Sequence, residues 1–206
     1  MTVPAPELLQ QTTDAIAAVH RRPVSLRKWQ VTSAESILRG AKMSALIDGT
    51  AVETAVSVYS LLAPDLVDAT CRTFLRSPLQ TLARMDVLAG GDGKPINSVS
   101  ELQQLARVIV QRPEHLPGIV HGVLAGRCCF GPRSGLIARA ASRVAAVATG
   151  FDPRGLCVPE SYFGRHLVEY RNAVESFKAI PAPLLELQLH AYLAGAAEAE
   201  AIAKQA

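Results

Sequence analysis

The stretch CCFGPRSGLIAR, from Cys128 to Arg139, separates two predicted helices, and the fold depends on how these helices pack around it. The alanine-rich run that follows predicts a helix starting near Ser134 or Gly135, because alanine has the highest helix propensity. Glycine lets the backbone approach a ligand closely, and a helix N-terminus presents free N–H groups to an anion. The stretch is therefore either a plain connector or an anion site. The candidate anion-binding residues are Arg133, Ser134, Gly135 and Arg139.

Helical spacing of apolar residues dominates the rest of the chain, with no alternation of strands and helices. The predicted helices cover residues 6–20, 25–50, 53–62, 64–74, 77–89, 100–110, 119–126, 134–149, 161–179 and 182–206. We expect Gly49 to stop the second helix and Ser77 and Ser100 to be N-caps. The turn cluster GGDGKPINS, Gly90–Ser98, leaves room for one short β-hairpin. The pattern predicts an all-α fold in a single domain, residues 1–206, with C-terminal helices in 161–206.

Composition narrows the class of protein. Of 206 residues, 49% are hydrophobic but only 5% are aromatic, which is typical of helices packed through small aliphatic side chains. The net charge of +3 is mild, and nucleic-acid-binding proteins of this size more often carry a basic stripe, so no nucleic-acid partner is expected. The apolar runs are too short to span a membrane, and the N-terminus lacks a secretory signal. None of the four cysteines has C-x-x-C spacing, so we expect reduced thiols, no metal and a cytoplasmic location.

The stretch resembles a degenerate form of the Fic (Fido) family motif, H-x-F-x-D/E-G-N-G-R-x-x-R. It is also similar to actinobacterial Fic-like proteins that are often labelled oxidoreductases, although no G-x-G-x-x-G motif supports redox chemistry. Laid on the motif without gaps, Phe130, Gly135 and Arg139 match. The positions that differ are Cys128 for the histidine, Pro132 for the acidic residue, Arg133 and Ser134 for Gly-Asn, and Leu136 for the first arginine.

Other segments resemble the family in the same order over about residues 30–178. AKMSALIDGT is similar to the family's inhibitory helix, S-x-x-x-E-G, with Ser44, Asp48 and Gly49 in its places and aspartate replacing glutamate. The turn cluster Gly90–Ser98 stands where the family has its target-docking flap. The resemblance implies a helical Fic-like core in which Asp48 pairs with Arg139, as the inhibitory glutamate pairs with the motif's last arginine.

The departures from the motif remove the chemistry that the family uses. In the family the histidine is the general base, the acidic residue holds magnesium, and the first arginine binds nucleotide phosphates. Cys128 replaces the imidazole with a thiol, and a free cysteine thiol, with a pKa of about 8.5, is a poor base at pH 7. Pro132 offers no metal ligand, and Leu136 offers neither charge nor donor. We therefore expect no AMP transfer by the usual route and no bound cofactor, ATP with magnesium included.

Three hypotheses remain open. The first is a Fic-fold pseudoenzyme that acts as a regulatory or protein-binding module, with an unidentified protein or a second copy as its partner. The second is a diverged nucleotide- or phosphometabolite-handling transferase that uses the loop 128–139. The third is an unrelated helical oligomerising protein, in which Ser44–Gly49 lies far from Arg139. A contact between Asp48 and Arg139 would separate the first two hypotheses from the third.

Overall fold

The computed structural model describes residues 4–206, so the first three residues of the predicted domain lie outside the described part. This range is all-α and contains no strand. None of its helices is both long and apolar enough to cross a lipid bilayer. The helices are α1 (Pro6–His20), α2 (Pro23–Arg27), α3 (Trp29–Asp48), α4 (Val52–Tyr59), α5 (Val67–Arg76), α6 (Pro78–Leu88), α7 (Val99–Gln111), α8 (Leu116–Gly126), α9 (Ser134–Ala148), α10 (Glu160–Arg165), α11 (Leu167–Ser176) and α12 (Ala182–Ala203), with 3₁₀ turns at Ser60–Leu62 and Gly131–Arg133.

Two predicted helices are each divided in two. Lys28 (φ −127°, ψ 31°) and His166 (φ −112°, ψ 41°) leave the helical region, so residues 25–50 and 161–179 do not form single helices. The second break lets successive helices meet different neighbours, because α10 packs on α3 and α12 whereas α11 packs on α8 and α12. By contrast, Gly49 ends α3 as predicted, with the left-handed φ of 66° that favours glycine.

The turn cluster Gly90–Ser98, which left room for a short hairpin, does not form one, since residues 4–206 contain no strand. Two backbone donors of this segment bind outside it: Ile96 and Asn97 both donate from their N–H groups to the carbonyl of Cys129, at 2.8 and 3.2 Å. A hairpin needs those donors for its own ladder. The segment is therefore a strap of turns across the loop that precedes α9.

Helix α9 lies at the centre of the fold. It packs against α8, α5, α3 and α4, and almost all of its residues are buried. Small side chains let these neighbours approach closely, and a helix with apolar residues around most of its circumference is typical of such a buried position. Its buried apolar residues are Leu136, Ile137, Ala138, Ala140, Ala141, Val144, Ala145 and Ala146.

Helix α3 faces α9 through a polar stripe in which each residue is four positions from the next: Ser36, Gly40, Ser44 and Asp48. Arg143 of α9 donates to the hydroxyl of Ser36 at 2.8 Å and to the carbonyl of Gly155 at 2.8 Å. Its guanidinium also lies 3.6 Å from the carboxylate of Glu160, and both side chains are at most 2% exposed.

Gly40 makes room for that ion pair. A Cβ at this position would lie 2.6 Å from Nη1 of Arg143 and 2.8 Å from Oε2 of Glu160. We predict that Gly40→Ala lowers the free energy of unfolding by about 1–3 kcal/mol, the usual cost of overpacking, although alanine is the better helix former. Urea denaturation measures this change.

The matched control is Gly164→Ala in α10. Its new methyl group would meet the sulfur of Met43 at 2.5 Å, and that flexible side chain can move aside. We expect Gly164→Ala to cost less than Gly40→Ala. An equal or greater loss in the control would show that the buried ion pair does not hold α3 in place.

Candidate functional site

The loop between α8 and α9 is a compact turn whose backbone conformation is fixed locally. Cys128 has a left-handed φ of 48°, and Gly131 has a φ of 59° at the start of the 3₁₀ turn. A Cβ on Gly131 would also lie 3.0 Å from the side chain of Ile96. The φ of position 131 therefore favours glycine, and the side chain of Ile96 leaves little room for a Cβ there.

The strap Gly90–Ser98 donates hydrogen bonds to the backbone carbonyls of this loop. Asn97 donates from its side-chain amide to the carbonyl of Cys128 at 3.2 Å, and Ser98 donates from its hydroxyl to the carbonyl of Arg127 at 3.3 Å. The predicted N-cap at Ser100 is wrong for the same reason: α7 begins at Val99, and Ser98 precedes it but uses its hydroxyl on the loop.

Ser134 and Arg133, two of the candidate anion-binding residues, have partners within the protein. The hydroxyl of Ser134 accepts a hydrogen bond from the N–H of Phe130 at 2.8 Å, and Phe130 is buried in the core. Arg133 donates to the fully buried carboxylate of Asp86 at 2.7 Å. The other oxygen of Asp86 accepts from the N–H of Gly93 at 3.0 Å.

Arg139 and Asp48 are in contact. Nη2 of Arg139 lies 2.5 Å from Oδ2 of Asp48, and their side chains are 1% and 18% exposed. Arg139 also donates to the hydroxyl of Ser44 at 2.8 Å and to its carbonyl at 3.3 Å. Two of the three singled-out residues, Ser44 and Asp48, thus contact Arg139, and Gly49 follows them as the helix stop.

Gly135 sits against this ion pair. A Cβ there would lie 2.9 Å from a carboxylate oxygen of Asp48 and 3.3 Å from Nη1 of Arg139. The carboxylate of Asp48 thus lies at the first turn of α9, where the partial positive charge of a helix N-terminus favours an anion. The side chain of Asp48 therefore lies where the sequence predicted that an anion could bind.

The remaining motif residues carry no base and no metal ligand. Cys128 is exposed, and its Sγ contacts the carbonyl of Ala125 at 3.6 Å. Pro132 is exposed and Leu136 is buried in the core. All four cysteines are free thiols. Within residues 4–206, no three His, Cys, Asp or Glu side chains come together in a way that can hold a metal ion.

A buried chain of hydrogen bonds runs inward from the ion pair. Nη1 of Arg139 donates to the hydroxyl of Tyr170 at 3.0 Å, which leaves the tyrosine proton for Nε2 of His121 at 2.8 Å. The Nδ1–H of His121 then donates to Gln188 at 3.0 Å, and the amide of Gln188 donates to Ser142 at 2.9 Å. Each group has a role only if His121 is neutral. Burial and the charge of Arg139 together lower the pKa of His121 to about 3.

An open groove of about 440 Å³ lies beside the ion pair. The ends of α3 and α8, the start of α9 and one face of α11 form its walls. Its charged lining residues are Asp48, Arg139, Arg171 and Glu175. The groove can therefore accept a polar group, but Arg139 is already neutralised there.

Sequence reasoning missed Asp86, Tyr170 and the Arg143–Glu160 pair. Asp86 shares a buried helical face with Leu82 and Met85, and an acidic residue on such a face was the available signal. Arg143 follows Arg139 by one turn in an alanine-rich run, which likewise places it on a buried face.

Comparison of the chain with protein-family models, with curated proteins and with solved structures finds no match. The resemblance to the Fic family therefore stays a hypothesis that rests on the quoted residues. The contact between Asp48 and Arg139 is a property of this structure, whichever family the chain belongs to.

The neutral state of His121 predicts a pH dependence of stability. The unfolded chain takes up a proton on this side chain below its ordinary pKa of 6.5, whereas the folded protein does so only near pH 3. The contribution of neutral His121 to the free energy of unfolding is therefore complete above the unfolded pKa, and it is lost progressively as the pH falls toward 3. At pH 5, protonation of this side chain in the unfolded chain lowers the free energy of unfolding by about 2 kcal/mol relative to pH 7.

His121→Gln is the variant that isolates this effect, because every other titrating group is shared with the wild type. We expect the stability advantage of the wild type over the variant, measured by urea denaturation, to shrink by about 2 kcal/mol between pH 7 and pH 5. An advantage that is the same at both pH values would mean that His121 titrates alike in the folded and unfolded states.

Proposed function

We propose that this protein is a Fic-like pseudoenzyme that acts as a regulatory or protein-binding module without AMP transfer. One observation carries the proposal: Arg139, the residue that matches the motif's last arginine, is buried and neutralised by Asp48. A triphosphate would have to displace a carboxylate that lies 2.5 Å from the guanidinium. Close, largely buried pairs of this kind are costly to break.

The state of the other motif residues supports the same reading. Arg133 is held by Asp86, and Ser134 is held by the backbone of Phe130. Cys128 has an accessible thiol but no neighbouring base among its hydrogen-bond partners. Hydrogen bonds within the protein hold the loop in place. The side chains of Arg133 and Ser134 are thus already paired without a nucleotide.

Exposed apolar residues on the elements around the groove support a protein partner. Leu46 of α3 is 74% exposed, and Val168 of α11 is 75% exposed. Leu46 directly precedes Ile47 and Asp48, which line the groove. Exposed apolar side chains on the two helices that also supply charged lining residues fit a surface that a partner protein covers. The partner is an unidentified protein or a second copy of this chain.

A second candidate is a diverged nucleotide- or phosphometabolite-handling transferase. The groove of about 440 Å³ beside Gly135 favours it, because Asp48 is 18% exposed and can act as a gate. An ATP titration of Asp48→Ala discriminates, with Asp65→Ala as an exposed acidic control. Saturable binding by Asp48→Ala alone would favour this candidate. The third hypothesis, an unrelated oligomer, expected Asp48 and Arg139 to lie apart, and the two are in contact.

We predict that the protein, incubated with labelled ATP and magnesium, labels neither itself nor proteins of a cell lysate. The reason is the simultaneous loss of the base, the metal ligand and the phosphate-binding arginine at Cys128, Pro132 and Leu136. Cys128→Ala is the matched variant. Labelling by the wild type that disappears in Cys128→Ala would overturn the proposal and identify the thiol as the reactive group.

A further inference from the structure

A second cleft, whose lining residues are not shared with the loop 128–139, carries unpaired positive charge. It measures about 730 Å³ and lies between α5, the start of α6 and the end of α7. Three arginines line it: Arg72, Arg76 and Arg112. No aspartate or glutamate lines it, and in residues 4–206 none of the three guanidiniums has an acidic oxygen within 4.0 Å.

Polar groups without partners adjoin these arginines. Ser77, which precedes α6, lines the cleft, and its side chain makes no capping hydrogen bond. An adjoining cavity of about 130 Å³ shares Ala69, Thr73 and Gln80 with the cleft and is also lined by Thr81. Thr81 is 3% exposed, and its hydroxyl has no hydrogen-bond partner. A buried hydroxyl needs a hydrogen-bond partner, which a polar group or a water molecule in this cavity can supply.

The chemistry of the lining selects the class of ligand. Guanidiniums bind phosphate oxygens through paired, charge-assisted hydrogen bonds. All three side chains are exposed and line one open cleft of about 730 Å³, so together they can reach a ligand with more than one phosphate group. No aromatic residue lines the cleft to stack on bases, and the net charge of the chain is only +3. These features favour a small molecule over a nucleic acid.

We infer that the cleft between α5 and α6 binds a small molecule with two or more phosphate groups through Arg72, Arg76 and Arg112. This site is independent of the proposed function of the loop, because the ligand contacts neither Arg139 nor Asp48. A phosphorylated metabolite could therefore bind this protein although Arg133 and Arg139 of the motif loop are paired with Asp86 and Asp48.

Arg112 provides a clean test, because its φ of 51° is one that glycine adopts more readily than arginine. Arg112→Gly therefore removes the guanidinium without straining the backbone. Arg76→Ala is the second variant, and Arg27→Ala, an exposed arginine of α2 outside the cleft, is the control for lost charge.

Inorganic pyrophosphate is the probe, titrated by calorimetry at low salt. We expect one saturable site in the wild type, and an affinity about tenfold or more lower in Arg112→Gly and in Arg76→Ala, since each loses charge-assisted hydrogen bonds. Arg27→Ala should change the affinity by less than about twofold. Thermal denaturation checks that each variant is folded.

Three outcomes would overturn the inference. The first is no saturable binding of pyrophosphate at millimolar concentration. The second is an equal loss of affinity in Arg27→Ala and Arg112→Gly, which would indicate a general charge effect. The third is tighter binding of a single-stranded oligonucleotide through the same arginines, which would make the cleft part of a nucleic-acid surface.

Discussion

Two buried guanidiniums on α9 are the constraint on which the rest of the structure depends. An arginine side chain keeps its charge in proteins, and a buried charge without a partner costs several kcal/mol. Arg139 and Arg143 both find acceptors on α3, at Ser44 and Ser36 respectively. The observed register of α3 along α9 gives both guanidiniums these acceptors, and a shift by a turn would remove them.

That register determines what the motif loop can do. It brings Asp48 to the first turn of α9, where the carboxylate neutralises Arg139. The strap donates hydrogen bonds to a loop carbonyl, and the carboxylate of Asp86 accepts one from Arg133. The polar groups that a phosphate would need are thus used for folding. The groove beside α11 and the arginine cleft are the two surfaces that we propose for binding.

The sequence predicted features that a few neighbouring residues decide. The bounds of α1, the end of α3 at Gly49 and the start of α9 at Ser134 follow from proline, glycine and alanine signals in the segment itself. The all-α class follows from the same patterns. The pairing of Asp48 with Arg139 was predicted only through the resemblance to a family, because no local rule links two helices so far apart in the chain.

Features that distant contacts decide were not predictable. Gly90–Ser98 has the composition of a hairpin turn, but its donors bind the carbonyl of Cys129. Asp86 and Arg133 are 47 positions apart, and nothing in either segment selects the other as a partner. The break at His166 depends on which neighbours α10 and α11 contact. Such choices are made by packing, which overrides local propensity.

The most direct test of this account is a double-mutant cycle between Asp48→Ala and Arg139→Met, measured by urea denaturation at pH 7. We expect Asp48→Ala alone to lower the free energy of unfolding by about 3 kcal/mol, because it strands a buried guanidinium. The double variant should lose about 2–3 kcal/mol less than the sum of the single variants, since methionine needs no charged partner. Losses that add within about 0.5 kcal/mol would contradict the account, because the two side chains would then not act as a structural pair.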